Sequence, residues 1–209
     1  MENDTYYTIA RPVEAVFTEK RSRFLSFIIP VSTIEEALAI VADFRKKYYD
    51  ARHVCWAYRI GKSTLERSYD DGEPSGTAGK PILGRLVSAE LSDVLAIVVR
   101  YFGGIKLGTS GLIEAYRNAT AMAIDETDRK PVVQKVEFDI HFGYDLMGEV
   151  MRLLKDASAD ILEQDCQQSC KLKICIRAKD SETLNGRLSM LHGCKVTSIQ
   201  EEKRDEEKG

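Results

Sequence analysis

Apolar and polar positions change period several times along the chain, and each change marks an element. Residues 12–31 read as extended. Val13, Ala15 and Phe17 alternate with Glu14, Val16 and Thr18, and a more buried run follows at Phe24, Leu25, Phe27, Ile28 and Ile29. The charged stretch Glu19-Lys20-Arg21-Ser22-Arg23 separates the two. The period then lengthens. Ser32-Thr33-Ile34-Glu35 reads as a capping box, the serine hydroxyl taking an amide and the glutamate reaching back. It predicts a helix over 33–48 with Ile34, Ala37, Leu38, Val41, Phe44 and Tyr48 on its packing face and Lys46 and Lys47 at its C-terminal dipole. His53–Ile60 alternates as a strand, Gly61-Lys62-Ser63 turns the chain, and residues 67–69 pair back. Residues 70–80 are rich in breakers. A helix over 77–91 is predicted next, with Ile82, Leu83, Leu86 and Val87 inward, and then the apolar run Val94–Tyr101 as a buried strand. Gly103, Gly104 and Gly108 mark a second loop, after which Thr109 or Ser110 caps a helix to Asp125 that packs through Leu112, Ala115, Tyr116, Ala119, Met122 and Ala123.

The polar run Asp125-Glu126-Thr127-Asp128-Arg129-Lys130-Pro131 interrupts this pattern, and a domain boundary is placed there, between 1–130 and 131–209. Beyond it the periods give strand 132–142, helix 144–157, strands 160–168 and 170–178, helix 180–191 and strand 195–200. That β-α-β-β-α-β order is ferredoxin-like. The fold class is therefore α+β, and the charged residues 201–209 are expected to fray.

Composition narrows the function classes. The 209 residues are 44% hydrophobic and 30% charged, enough to bury a core in each half, with a formal net charge of −3. The first 130 residues carry 18 basic and 18 acidic side chains, the remainder 12 and 15. No global field draws in nucleic acid or an anionic membrane, so any nucleic-acid contact needs a local basic patch. The polar start Met1-Glu2-Asn3-Asp4 lacks the basic and apolar regions of a signal peptide, and no apolar run approaches the ~20 residues that span a bilayer. A cytosolic protein without membrane contact is expected. The five cysteines, Cys55, Cys166, Cys170, Cys175 and Cys194, are odd in number and read as free thiols. Cys166-x3-Cys170 lacks a partner pair at metal spacing, so no metal and no cofactor is expected.

Two Gly-rich loops concentrate the candidate chemistry. The first, 68–80, carries Asp70, Asp71, Glu73, Ser75, Thr77 and Lys80 and runs into a helix N-terminus, where orphan amides favour anions. Its glycine spacing is not that of a Walker loop, and Lys80 precedes Pro81 rather than Ser or Thr. The second, 100–111, offers charge from Arg100 and Lys106, stacking surface from Tyr101 and Phe102, and tight turns at Gly103 and Gly104. Each loop can also be read as turn glycines and core aromatics alone.

Ser22-Arg23-Phe24, Asp50-Ala51-Arg52-His53, Asp70-Asp71-Gly72-Glu73-Pro74-Ser75-Gly76-Thr77-Ala78-Gly79 and Val99-Arg100-Tyr101-Phe102-Gly103-Gly104-Ile105-Lys106-Leu107-Gly108 resemble, in order and spacing, the IMPACT/YigZ family. The likeness covers essentially the whole chain. One departure is Ser110, where the family more often has glycine. The resemblance implies an N-terminal domain of the kind shared by the second domain of a small-subunit ribosomal protein and the fourth domain of elongation factor G. It implies a C-terminal domain like that factor's fifth. It also implies a role near translation: eukaryotic relatives restrain the kinase of the amino-acid starvation response by competing for its ribosome-bound co-activator, using an additional domain absent from this sequence. Fold likeness alone does not fix a molecular role.

Three functions follow. The leading one is a non-catalytic binding protein for RNA, the ribosome or a translation factor. It rests on Arg21, Arg23, Arg52, His53, Arg100, Tyr101 and Lys106, with Lys171, Lys173 and Arg177 as a basic stripe on the open face of the second sheet. The second is an enzyme in which His53 acts as a base among Asp70, Asp71, Glu73, Lys80 and Arg100, or in which the three carboxylates hold Mg²⁺. The third is an adaptor that docks a protein partner through Tyr101 and Phe102. Two loops that meet in a polar cleft would favour the enzyme; a flat basic surface would favour the binding protein.

Overall fold

A computed structural model describes residues 4–61, 65–167 and 169–198. The turn at Lys62 and Ser63, the last two residues of the predicted final strand and the charged tail lie outside the described residues. The chain divides into two compact units, one of Thr5–Val132 and the other of Asp4 together with the chain from Val133 onward.

In the first unit a five-stranded sheet is built from β2 (Val13–Glu19), β3 (Ser22–Pro30), β4 (His53–Ile60), β5 (Leu65–Tyr69) and β6 (Val94–Tyr101), ordered β2-β3-β6-β4-β5. Every neighbouring pair is antiparallel. The alternation of side chains sorts the apolar residues onto two faces. Phe24, Ile28, Cys55, Ala57, Ala96 and Val98 pack beneath α2 (Gly79–Ser88) and α3 (Gly108–Asp125). Phe27, Val54, Trp56, Tyr58, Leu95, Ile97 and Val99 pack against α1 (Ile34–Lys47). Because β6 is covered on both sides it reads as an unbroken apolar run rather than an alternating one.

Several local expectations shift. The N-cap of α1 is Thr33, whose Oγ1 accepts from the Glu36 amide at 3.2 Å while the Glu36 carboxylate accepts from the Ser32 amide at 2.7 Å. The capping box thus sits one residue later than the pattern suggested. Leu38, Val87 and Met122, expected inward, are exposed, since each helix offers the sheet only a narrow stripe. A strand pair is also present that the pattern did not give, β1 (Thr5–Ile9) with β7 (Arg129–Val133). The break at 125–131 therefore holds strand residues, and β8 begins afresh at Lys135.

The second unit contains β8 (Lys135–Phe142), a 3-10 turn at Tyr144–Leu146, α4 (Met147–Asp156), β9 (Asp160–Cys166), β10 (Cys170–Arg177), α5 (Ala178–Ser189) and β11 (Lys195–Ser198). Its antiparallel sheet is ordered β11-β8-β10-β9. This is the ferredoxin-like order read from the sequence. Phe138, Ile140, Leu172, Ile174 and Ile176 face Val150, Leu153, Leu154, Leu184 and Leu188 of the two helices. Asp4 belongs to this unit: Arg177 donates to its carboxylate through Nε and Nη2, both at 2.9 Å, and the Gln134 amide donates to its carbonyl. Among the described residues no helix is long and apolar enough to cross a membrane.

Candidate functional site

The two Gly-rich loops meet. Across the face of the sheet that carries α2 and α3, the register aligns Phe17, Phe24, Arg100 and His53 in one row at the end of the strands. The loop after β5 lays Glu73 over this row. Glu73 Oε1 accepts from Arg100 Nη1 at 2.5 Å and from the Tyr116 hydroxyl at 2.8 Å. Arg100 is 5% exposed, Glu73 8% and Tyr116 fully buried. A charge pair so far from water persists only because each group has a partner. The guanidinium lies between two rings, 5.5 Å from the centre of Phe24 and 5.7 Å from that of Phe102. Among the described residues its Nε has no hydrogen-bond partner.

His53 is held by the same loop. Its Nδ1 lies 2.7 Å from the Asp71 carbonyl. A carbonyl only accepts, so Nδ1 carries the proton and the Nε2 lone pair faces Glu73 Oε1 at 3.7 Å, too far for a hydrogen bond. Burial holds the imidazole pKa below its usual value; Glu73 opposes that shift, while Arg100, Arg52 and Arg45 reinforce it. Cys55 donates to the Asp70 carbonyl at 2.9 Å and lies 3.3 Å from the Tyr116 hydroxyl; burial pushes its thiol up to about 12, so it is a packing residue rather than a nucleophile.

Above the row opens a cleft of about 610 Å³ lined by Arg52, His53, Glu73, Arg100, Phe102, Lys106 and the start of α3 at Gly108 and Thr109. The first amides of α3 have no intrahelical acceptor, no side chain among the described residues caps them, and its first turn holds no acidic residue. Arg52 and Lys106 are exposed, and among the described residues neither has an ion-pair partner; Phe102 is half exposed. The balance of formal charge on the lining is positive, suited to an anion.

The other sequence candidates go elsewhere. Asp70 accepts from the amides of Gly76, Ala78 and Gly79, and so closes its own loop and the start of α2. Asp71 accepts from the Val54 amide at 2.6 Å and pairs with Arg45. The three carboxylates expected to share a cation therefore point to three different partners, and among the described residues no cluster of His, Cys, Asp and Glu could hold a metal. Thr77 is buried, its hydroxyl donating to the Pro74 carbonyl, and Ser75 is exposed. Lys80 lines a separate hollow with Gly76, Arg85 and Arg117. Arg23 and Tyr101 lie in register with each other on the α1 face, where the Tyr101 hydroxyl donates to Asp50. Arg21 stands at the β2–β3 hairpin tip.

Gly103 supports that tip so closely that a Cβ on it would lie 2.0 Å from the Arg21 backbone. Gly104 follows at φ +88°. In the second unit, β10 presents Lys171, Lys173 and Arg177 opposite acidic neighbours. Lys171 is in register with Asp165, Lys173 pairs with Glu137 and Glu163, and Arg177 pairs with Asp4. That face carries both signs instead of the expected basic stripe. Tyr116, Phe24, Cys55 and Arg45 were not singled out as site residues, because a tyrosine in an apolar helical stripe reads as core and nothing in sequence ties it to Glu73.

Fold and site together define an α+β protein with a ferredoxin-like unit and a buried arginine–glutamate pair beneath a cationic cleft. Residues 20–124 match the family described as the Impact N-terminal domain. The chain is 37% identical over 179 residues to an IMPACT family member of Haemophilus influenzae, covering 83% of this chain and 87% of that one. It is 32% identical over 183 residues to the IMPACT family member YigZ of Escherichia coli, covering 86% and 90%. A crystal structure titled as that of a hypothetical protein superposes with a TM-score of 0.69 at 30% identity, covering 95% of this chain and 98% of the other. This chain belongs to the IMPACT family.

Proposed function

We propose that this protein binds RNA of the translation apparatus and that the cleft above Arg100 makes the contact. The observation that carries the reading is a cationic lining around a helix N-terminus with one half-exposed aromatic ring, Phe102, among the lining residues. Phosphate oxygens suit the helix amides, Arg52 and Lys106, while Phe102 offers a surface on which a base stacks. The modulation of translation implied by family resemblance, and a cytosolic location, belong to the same proposal. Binding of a short single-stranded RNA and co-sedimentation with ribosomes, both in rising salt, test it. Affinity should fall linearly on a log–log plot, and a protein that binds neither at low ionic strength is not an RNA-binding protein of this kind.

A second reading, an enzyme, is supported by the meeting of the two loops in a polar cleft, with His53 on its lining and Nε2 3.7 Å from Glu73 Oε1. In an enzyme that nitrogen would take a proton from a bound hydroxyl or water. Turnover of phosphoesters by the wild type but not by His53→Gln would favour it. Equal turnover by both would remove it.

A further inference from the structure

The charge of the cleft points to one kind of phosphate. Arg52, Arg100 and Lys106 bring three positive charges and Glu73 one negative charge, so the lining carries a formal excess of two with His53 neutral. An internal phosphodiester offers one negative charge, whereas a terminal phosphomonoester carries about −1.5 to −2 near pH 7 and three free oxygens. The innermost cation is Arg100, 5% exposed, with Nη1 engaged by Glu73 and Nε closed off from solvent. The guanidinium still lines the cleft, where a charged donor is suited to an oxyanion. An internal phosphate drags a sugar on each side and suits a surface groove. A terminal one enters end-on, and Phe102 then receives the attached base.

We propose that the cleft captures the terminal phosphomonoester of a nucleotide. The oxygens rest on the α3 amides at Gly108 and Thr109 and on Arg100, with Arg52 and Lys106 closing the rim. The proposal rests on the RNA-binding reading of the same cleft and narrows it to the phosphorylated end. The same chemistry is offered by a strand end and by a free mononucleotide, so the test separates the two.

The experiment uses the full chain and three fluorescent or competing probes: a hexanucleotide RNA with a 5′-phosphate, the same RNA with a 5′-hydroxyl, and a nucleoside monophosphate, with a 3′-phosphorylated strand as a further arm. A phosphorylated strand, 5′ or 3′, is expected to bind about tenfold or more tightly than the hydroxyl strand. Lys106→Ala and Arg52→Ala, both at exposed positions, should weaken every strand but cost the phosphorylated strands severalfold more than the hydroxyl strand, and so shrink the preference. Arg100→Lys keeps a cation opposite Glu73 but lacks the guanidinium fork, and should lose the preference if it folds. Equal affinity of all strands overturns the inference and leaves the RNA reading standing, as does an equal loss for every strand in the rim variants. Tight binding of the monophosphate with no gain from the attached strand keeps the phosphomonoester site and overturns the RNA reading. Binding of none of the probes overturns both.

Discussion

Glu73 Oε1 takes two hydrogen bonds inside the first unit, one from a cation and one from a phenol. Removing either donor has a different cost. Tyr116→Phe keeps the ring but leaves the carboxylate one donor short, and is expected to lower stability by about 1–3 kcal/mol, read from the urea midpoint. Glu73→Ala strands a buried guanidinium and should cost about 3–5 kcal/mol. His53 gives a pH signature. Its folded pKa lies below the ordinary 6.5, so below that pH the unfolded chain binds a proton that the native state refuses. Stability from this group is present above pH 6.5 and is lost as the pH falls toward the lowered native value. The urea midpoint should decline on acidification, and His53→Gln should flatten that part of the curve. Arg100, Lys106 and Glu73 were legible as a group because charged residues in Gly-rich loops after strands mark sites, and His53 stood out as a titratable side chain at a strand start. The contact from Tyr116 was not, since it comes from a helix packing across the sheet and leaves no trace in local pattern.

Elements were legible wherever one period ran long enough. The strand His53–Ile60 has both ends its pattern gave, and α3 stops at Asp125 as read but starts at Gly108, ahead of the expected cap at Thr109 or Ser110. Misread ends have tertiary causes. The α2 helix begins at Gly79 rather than residue 77 because Asp70 pins the amides of Gly76, Ala78 and Gly79, and because Gly79 must lie against the backbone of Tyr69, where a Cβ would come within 2.7 Å. The β2–β3 hairpin turns through Lys20 and Arg21, at φ +44° and +64°, a left-handed conformation that non-glycine residues adopt at a cost. Replacing this pair by Asn-Gly should raise stability by about 0.5–1 kcal/mol, seen as an increase in Tm. Gly103→Ala should do the reverse by about 1–3 kcal/mol, since the added carbon collides with the tip's backbone and not with a movable side chain. An exposed Gly104→Ala, with open space around it, should suffer only from its positive φ.

For the whole molecule, the net charge of −3 hides a local arrangement. Ion pairs neutralise Lys173 and Arg177 in the second unit, whereas Arg52 and Lys106 face the cleft unmatched among the described residues. Electrostatic binding should therefore belong to the first unit. Lys106→Ala should reduce the slope of log affinity against log salt for single-stranded RNA by about 0.7, and Lys171→Ala should leave it unchanged. The clasp between Asp4 and Arg177 spans 173 positions of chain. A polypeptide emerging from the ribosome exposes Asp4 long before its guanidinium partner has been made. The core of Thr5–Val132 can close in the interval, but the smaller unit stays incomplete until Arg177 has been made. A nascent chain halted before Arg177 should therefore show protease resistance over the first unit while Asp4 remains open to attack.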